Sequence, residues 1–193
     1  NFSIELGVLI EPLCVAYRTI KKIIHIDLNK KIFIFGAGPI GLCILSLLNI
    51  FKYNNVTICD KLENRLELAK KLFPSCNIIS NCKNISKKYD ICIDAIGANE
   101  IFKSSQDILN IMGNIIIVGI PEVEDYIDYN PHKMRTKEAT IHNVRRGTGV
   151  IEEVIELLKD QSNEFISLFE KIVSHRFEID DINIAFENSS KYL

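Results

Sequence analysis

Lys31-Ile32-Phe33-Ile34-Phe35-Gly36-Ala37-Gly38-Pro39-Ile40-Gly41 decides the fold. The apolar run up to Phe35 is rich in residues that favour strands and predicts a short buried strand. Helical spacing of apolar residues then runs from Ile40 to about Phe51. The glycines between them are spaced Gly-x-Gly-x-x-Gly, and at a strand-to-helix junction each has a physical task. Gly36 permits the tight turn, Gly38 lets the backbone approach a pyrophosphate, and Gly41 lets the helix pack closely on the strand. Pro39 has no N–H, so Ile40 and its neighbours are left to donate to phosphate at the positive end of the helix.

Outward from this loop the pattern supports the same reading. Val56 to Cys59 is a second buried strand and ends at Asp60, about 20 residues beyond Gly41. A carboxylate there accepts hydrogen bonds from adenosine-ribose hydroxyls and repels a 2′-phosphate, which favours NAD over NADP. Lys61 and Arg65 are nearby cations, and Arg65 can stack on adenine. Helix Leu62 to Phe73, strand Asn77 to Ser80, strand Tyr89 to Asp94 and helix Ile101 to Met112, stopped by Gly113, follow in order. Then come strand Ile115 to Gly119, strand Ala139 to Arg145 and helix Ile151 to Lys159. This alternation predicts an α/β, doubly wound Rossmann fold, with a six-stranded parallel sheet and helices on both faces.

The flanks are less regular. Ile4 to Ile23 has helical spacing interrupted by Pro12, which is expected to start, end or kink a helix. Pro121 to Lys137 is long, polar and expected at the surface. Past residue 163 the alternation stops: Ile172 to Ile179 reads as strand or extended chain, and Asp180 to Asn188 as a short helix. The expected organisation is a connecting helix (1–24), a dinucleotide-binding domain (25–163) and a returning segment (164–193).

The chain has 193 residues, 47% of them hydrophobic, and a net charge of −2. That length suits one domain plus part of another. The near-neutral balance gives no electrostatic reason to expect nucleic acid or a membrane surface as a partner. No apolar run reaches the roughly 20 residues that span a bilayer, and no signal peptide is visible, so a cytoplasmic setting is expected. None of the cysteines at 14, 43, 59, 76, 82 and 92 forms a Cys-x-x-Cys pair. Cys43, Cys59 and Cys92 sit in apolar runs and read as small buried side chains in a reducing compartment, not as a disulfide framework. The four histidines lack ligand spacing, and the serine pairs lack a base partner, so no catalytic residue is assigned. The opening at Asn1, already mid-pattern, reads as a piece of a longer protein.

These residues, in this order, resemble the medium-chain dehydrogenase/reductase family, in its zinc-dependent alcohol, polyol (sorbitol-like) and threonine dehydrogenase branch. Gly36 to Leu42 resembles its phosphate loop, and Leu9-Ile10-Glu11-Pro12-Leu13-Cys14 its approach to the cofactor domain. His175-Arg176-Phe177 and Ile182 to Phe186 resemble its returning tail, a remnant of the catalytic domain. The resemblance implies that Gly97, Val118, Gly119 and Ile120 line the cofactor groove, with Val118 and Ile120 holding the nicotinamide amide through their backbones. It implies that Arg146, with Arg145 as rival, pairs with the pyrophosphate, and that Glu11 stands beside a catalytic zinc in the full-length enzyme. The other zinc ligands and the structural zinc lobe of the family lie in a catalytic domain to which no segment here corresponds, and Ile96 replaces a small polar residue. The implied activity is hydride transfer between a secondary alcohol or sugar alcohol and NAD, in a homodimer or homotetramer, with the chain alone expected to bind cofactor but not turn over substrate. Two other readings remain open at this point: an S-adenosylmethionine-dependent methyltransferase, and a non-catalytic nucleotide-binding module.

Overall fold

Ile32 and Ile34 join the core on one face of the sheet, Phe33 and Phe35 the core on the other, and all four are fully buried. Side chains alternate across a strand, so a strand apolar at every position has to be covered on both faces. In this computed structural model, which describes residues 3–82, 85–121 and 128–190, that strand is β1 (Ile32–Phe35). It lies inside a sheet with β2 (Val56–Cys59), β3 (Asn77–Ile79), β4 (Tyr89–Asp94), β5 (Leu109–Ile117) and β6 (Thr140–Asn143). The order is β3-β2-β1-β4-β5-β6, and every pair is parallel. The expected doubly wound sheet is present. Its order reverses between β1 and β4, and a ligand crevice forms outside the carboxyl ends of strands at such a point.

Helices cover both faces. With Ile32 and Ile34 pack α1 (Ile4–Lys21), α2 (Pro39–Ile50), α3 (Glu63–Leu72), α6 (Ile151–Lys159) and α7 (Asn163–Phe169). With Phe33 and Phe35 pack Phe102 and Ile108 of α4 (Asn99–Ile108) and Met134 of α5 (Pro131–Thr136). Fully burying one such side chain is worth about 1.5–3 kcal/mol, and β1 alone supplies four.

Several boundaries differ from the expectation. Pro12 neither ends nor starts a helix: α1 runs through it, capped by Ser3, whose Oγ accepts from Leu6 N at 3.0 Å. Proline deprives the carbonyl four residues back, that of Val8, of its partner. Val8 is 63% exposed, so water can satisfy that oxygen. The helix expected over Ile101 to Met112 is α4, and it stops at Ile108. Lys137 Nζ donates to Gln106 O at 2.7 Å and Leu109 O at 2.6 Å, capping the helix where its dipole favours a cation. Strand β5 therefore begins at Leu109, opposite Tyr89, but Asn114 is next in register, opposite Ile91. Between them the chain bulges, with Met112 at φ 57° and Ile111 and Met112 exposed. Their apolar character carried the helical pattern too far.

The expected excursion Pro121 to Lys137 contains α5, capped by Asn130 and pinned by buried Met134; its residues 122–127 lie outside the described residues. The tail has no strand at Ile172 to Ile179: a single 3-10 turn ends at Ile172, and 173–178 form no regular element. The expected terminal helix is present as α8 (Ile182–Ser190), preceded by a 3-10 turn. Helix α7, which the sequence reading left out, is capped by Ser162 and buries Phe169. Cys59 is not a free buried thiol: it is joined to Cys82. Parallel pairing of β2 with β3 brings together two cysteines 23 residues apart in sequence, which spacing alone does not reveal.

Candidate functional site

The strand-to-helix loop after β1 is built by backbone contact. Gly36 adopts φ 95°, and its N–H donates to Cys59 O at 2.8 Å. A Cβ on Gly41 would fall on Gly36 O, far inside van der Waals contact. Gly38 faces the opposite way: a Cβ there meets only Arg65 Nη1, at 3.8 Å. It is the N-cap of α2 and makes no side-chain cap, with Pro39 at the first helical position. The start of α2 therefore has no side-chain cap and an open approach at Gly38, an arrangement suited to an anion.

Asp60 closes this loop from the neighbouring strand. It is 6% exposed, Oδ2 accepts from Ala37 N at 2.8 Å, and Oδ1 accepts from Leu62 N at 2.9 Å. Arg65, one turn into α3, brings Nη1 to 3.5 Å of Oδ2. A carboxylate has about four acceptor positions, so Asp60 retains capacity for a ligand hydroxyl. Gly36, Gly38, Pro39, Ile40, Gly41, Asp60 and Arg65 thus form one connected rim.

A second cluster lies at the ends of β4 and β5. Gly97 (φ 92°) and Gly119 interlock, since a Cβ on either would strike the other's backbone or the residue beside it. Ile96 reaches over Gly36, its Cγ1 lying 2.8 Å from where a Cβ would stand, and so joins the two clusters. The N–H groups of Val118 and Gly119 both donate to Asp94 O at 2.9 Å, so what Val118 can offer a ligand is its carbonyl. Ile120 is 91% exposed at the rim.

The family resemblance puts Asp94-Ala95-Ile96-Gly97 along the cofactor groove as a stretch, with no separate task for the Asp94 carboxylate. Its Oδ1 accepts from Ile96 N at 2.9 Å and Gly97 N at 2.8 Å, fixing the turn that carries both. An aspartate three residues before a glycine at a strand end is an Asx-turn signal that could have found it. Burial pushes the Asp94 carboxyl above its ordinary value of 3.8, against the two N–H donors that lower it. With the folded value raised, the stabilising contribution is full below the unfolded value and is lost as pH rises through the folded one. Asn keeps the accepting oxygen without the charge. Asp94→Asn is therefore expected to flatten the fall in stability that starts near pH 3.8, read as urea midpoints across about pH 4 to 7. An unchanged pH profile would remove Asp94 from this role.

Glu11 and Arg146 lie apart from these clusters. Glu11 is exposed in the middle of α1, not at its N-terminus. Arg145 and Arg146 are both exposed beyond the end of β6, so strand alternation does not separate them. Arg18 Nη1 donates to the carbonyls of both, and Gly147 packs on Cys14 and the Glu11 carbonyl. Among the described residues no group of three or more His, Cys, Asp or Glu side chains could hold a metal. One carboxylate does not make a zinc site, which needs three or four protein ligands, so this chain's described residues do not fit zinc by themselves. They do fit a dinucleotide: an open glycine cradle, an uncapped helix start and a carboxylate with spare acceptors. A cleft of about 760 Å³ adjoins this rim, between Gly38, Pro39 and Arg65 on one side and His175 and Phe177 on the other. No helix among the described residues is long and apolar enough to cross a membrane.

The sequence profile of the zinc-binding dehydrogenase family matches residues 39–160. The D-xylulose reductase of Saccharomyces cerevisiae is 31% identical over 100% of this chain and 56% of its own length. The L-threonine 3-dehydrogenase of Escherichia coli K12 is 28% identical over 97% of this chain and 55% of its own. The chain spans about half the length of the curated relatives it matches. Among solved structures, an alcohol dehydrogenase of Escherichia coli CFT073 in complex with NADH superimposes with a TM-score of 0.84 at 23% identity, covering 96% of this chain and 55% of that one. The alcohol dehydrogenase of Thermus sp. ATN1 gives 0.84 at 17%, covering 100% and 58%. At such identities these two structures establish the fold.

Proposed function

The chain belongs to the zinc-binding dehydrogenase family, and from that premise we propose that it is the NAD-binding part of a zinc-dependent alcohol or polyol dehydrogenase. The observation that carries this reading is the pairing of an open Gly38 with Asp60, whose carboxylate is anchored to the same loop through Ala37 N. NAD, when bound, supplies the hydride acceptor for a secondary alcohol or sugar alcohol. The residues of this chain position it. The α2 amides hold the pyrophosphate, Asp60 takes the adenosine ribose, and Arg65 stacks on the adenine. The turn at Gly97 and the carbonyl of Val118 with the backbone of Ile120 border the nicotinamide, and Arg146 adds a cation for the phosphates. Glu11 offers a carboxylate to zinc, whose remaining ligands are not among the described residues, so no step is assigned to the metal.

Calorimetric titration with NADH and with S-adenosylmethionine tests the reading. Binding of NADH alone supports it, binding of S-adenosylmethionine alone replaces it with the methyltransferase reading, and binding of neither removes both. The exposed apolar residues Phe177, Ile179, Ile182 and Phe186 suit a segment returning to a catalytic domain. The partners we propose are an alcohol or polyol substrate and further copies of the chain, in a dimer or tetramer joined through the open edge of β6. Light scattering of a concentrated solution that reads a monomer removes the dimer. For a cytoplasmic location the cysteines point both ways: four are free and buried, whereas the Cys59–Cys82 bond is of a kind rare in a reducing compartment.

A further inference from the structure

All six cysteines lie among the described residues. Cys14, Cys43, Cys76 and Cys92 are buried free thiols, and burial pushes the pKa of each up. A thiol that stays protonated is a poor nucleophile, so these four are chemically quiet. Cys59 and Cys82 are joined, and their bond lies next in sequence to the carboxylate of the candidate site. Cys59 ends β2, its carbonyl accepts from Gly36 N at 2.8 Å, and the next residue is Asp60. Asp60 N donates to Ile79 O at 3.2 Å, at the end of β3 and three residues before Cys82. The bond thus pins the segment 80–82 to the carboxyl end of β2, beside the carboxylate that holds the phosphate loop. Cys59 is fully buried, whereas Cys82 is partly exposed. Cys82 is therefore the more accessible end of the bond, and attack by an external thiolate is directed to its sulfur and not to that of Cys59.

We propose that Cys59 and Cys82 form a reversible thiol–disulfide switch on the adenosine end of the groove, with the disulfide form the tighter binder of the dinucleotide. This rests on the cofactor reading above. With the bond closed, Asp60 is already set by Ala37 N, Leu62 N and Arg65. With it open, the end of β3 is no longer cross-linked to β2, so the Asp60 backbone, which donates to Ile79 O, is held less firmly and has to be fixed when ligand binds, which lowers affinity. Closure uses a low-molecular-weight disulfide, RSSR. The Cys82 thiolate attacks one sulfur and expels RS⁻, leaving a mixed disulfide; the Cys59 thiolate then attacks the Cys82 sulfur and expels the second RS⁻. The two protein thiols lose two electrons and two protons, and RSSR leaves as two RSH. Excess RSH reverses both steps.

The test equilibrates the 193-residue chain with oxidised or with reduced glutathione, counts thiols in denaturant, and titrates NADH calorimetrically into each form beside Cys82→Ser. Four thiols are expected in the oxidised chain and six in the reduced, with the Cys59 and Cys82 peptides linked in a non-reducing digest. Reduction is expected to weaken NADH binding roughly 3- to 30-fold, and Cys82→Ser to bind like the reduced chain in either buffer. Six thiols after oxidation, or equal affinity in both forms, overturns the switch. Binding of NADH by neither form overturns the cofactor reading and the switch with it, while the thiol count still reports separately whether the couple closes.

Discussion

Gly41→Ala destabilises the chain by about 3 kcal/mol or more and abolishes NADH binding with it. The added Cβ falls on the Gly36 carbonyl oxygen and stands 2.9 Å from its carbonyl carbon. Neither atom can swing aside as a side chain could. Gly36 is held at φ 95° and donates its N–H to Cys59 O, so the loop cannot retreat without breaking its tie to β2. On the opposite side, Ala95 Cβ is already within 3.8 Å. The remaining escape is for α2 to lift off β1, which uncovers the apolar face described above. Gly38→Ala is the control. Gly38 has φ −69°, open to any residue, and its Cβ meets only the far end of Arg65 at 3.8 Å. That variant is expected to keep its urea midpoint while losing about 10- to 100-fold in NADH affinity, because the methyl stands where the phosphate must approach. A Gly41→Ala midpoint equal to that of the native chain would show that the loop relaxes freely. Undiminished binding by Gly38→Ala would move the phosphate elsewhere.

The same loop explains how far the sequence could be read. β2, β4 and α6 start and stop where the periodicity puts them, because there local preference and burial agree. The phosphate loop was legible because glycine spacing reports a backbone requirement directly. Reading failed where a distant residue decides the local structure. Lys137 ends α4 from outside the helix, and the bulge that follows exposes Ile111 and Met112, so apolar character misreports burial there. Pro12 sits in α1 without breaking it because Val8 faces water. The Cys59–Cys82 pair exists only through the β2–β3 register. Within the site, Asp60 was found by its distance from Gly41, but its bond to Ala37 N was not, since that contact crosses between strands. Asp94 was legible as part of the groove-lining stretch, but its task was not, because its carboxylate serves neighbouring amides and not a ligand. Fold and cofactor loop are written in local pattern; the ties that set the site's rigidity are written in tertiary contact.

Those ties make Asp60 the most informative residue to change. Asp60→Ala is expected to weaken NADH binding about 100-fold and to shrink the preference for NADH over NADPH. A hydrogen bond to a charged acceptor is worth about 1.5–3 kcal/mol, so losing the ribose contacts accounts for roughly two decades. NADPH loses those contacts too, but its 2′-phosphate, at about −2, no longer faces a carboxylate. Arg65, whose Nη1 stands 3.5 Å from Oδ2 in the native chain, adds a cation on the same side as that phosphate. Asp60→Asn separates charge from shape. If discrimination is Coulombic, Asn narrows the preference as far as Ala does while retaining more NADH affinity through its one carbonyl oxygen. If discrimination is steric, Asn keeps the native ratio. Because Ala also leaves the N–H groups of Ala37 and Leu62 without their acceptor, each variant's urea midpoint has to be measured beside its titration. A folded Asp60→Ala that binds NADH as tightly as the native chain would remove Asp60 from the cofactor site, and with it the strongest reason to prefer NAD.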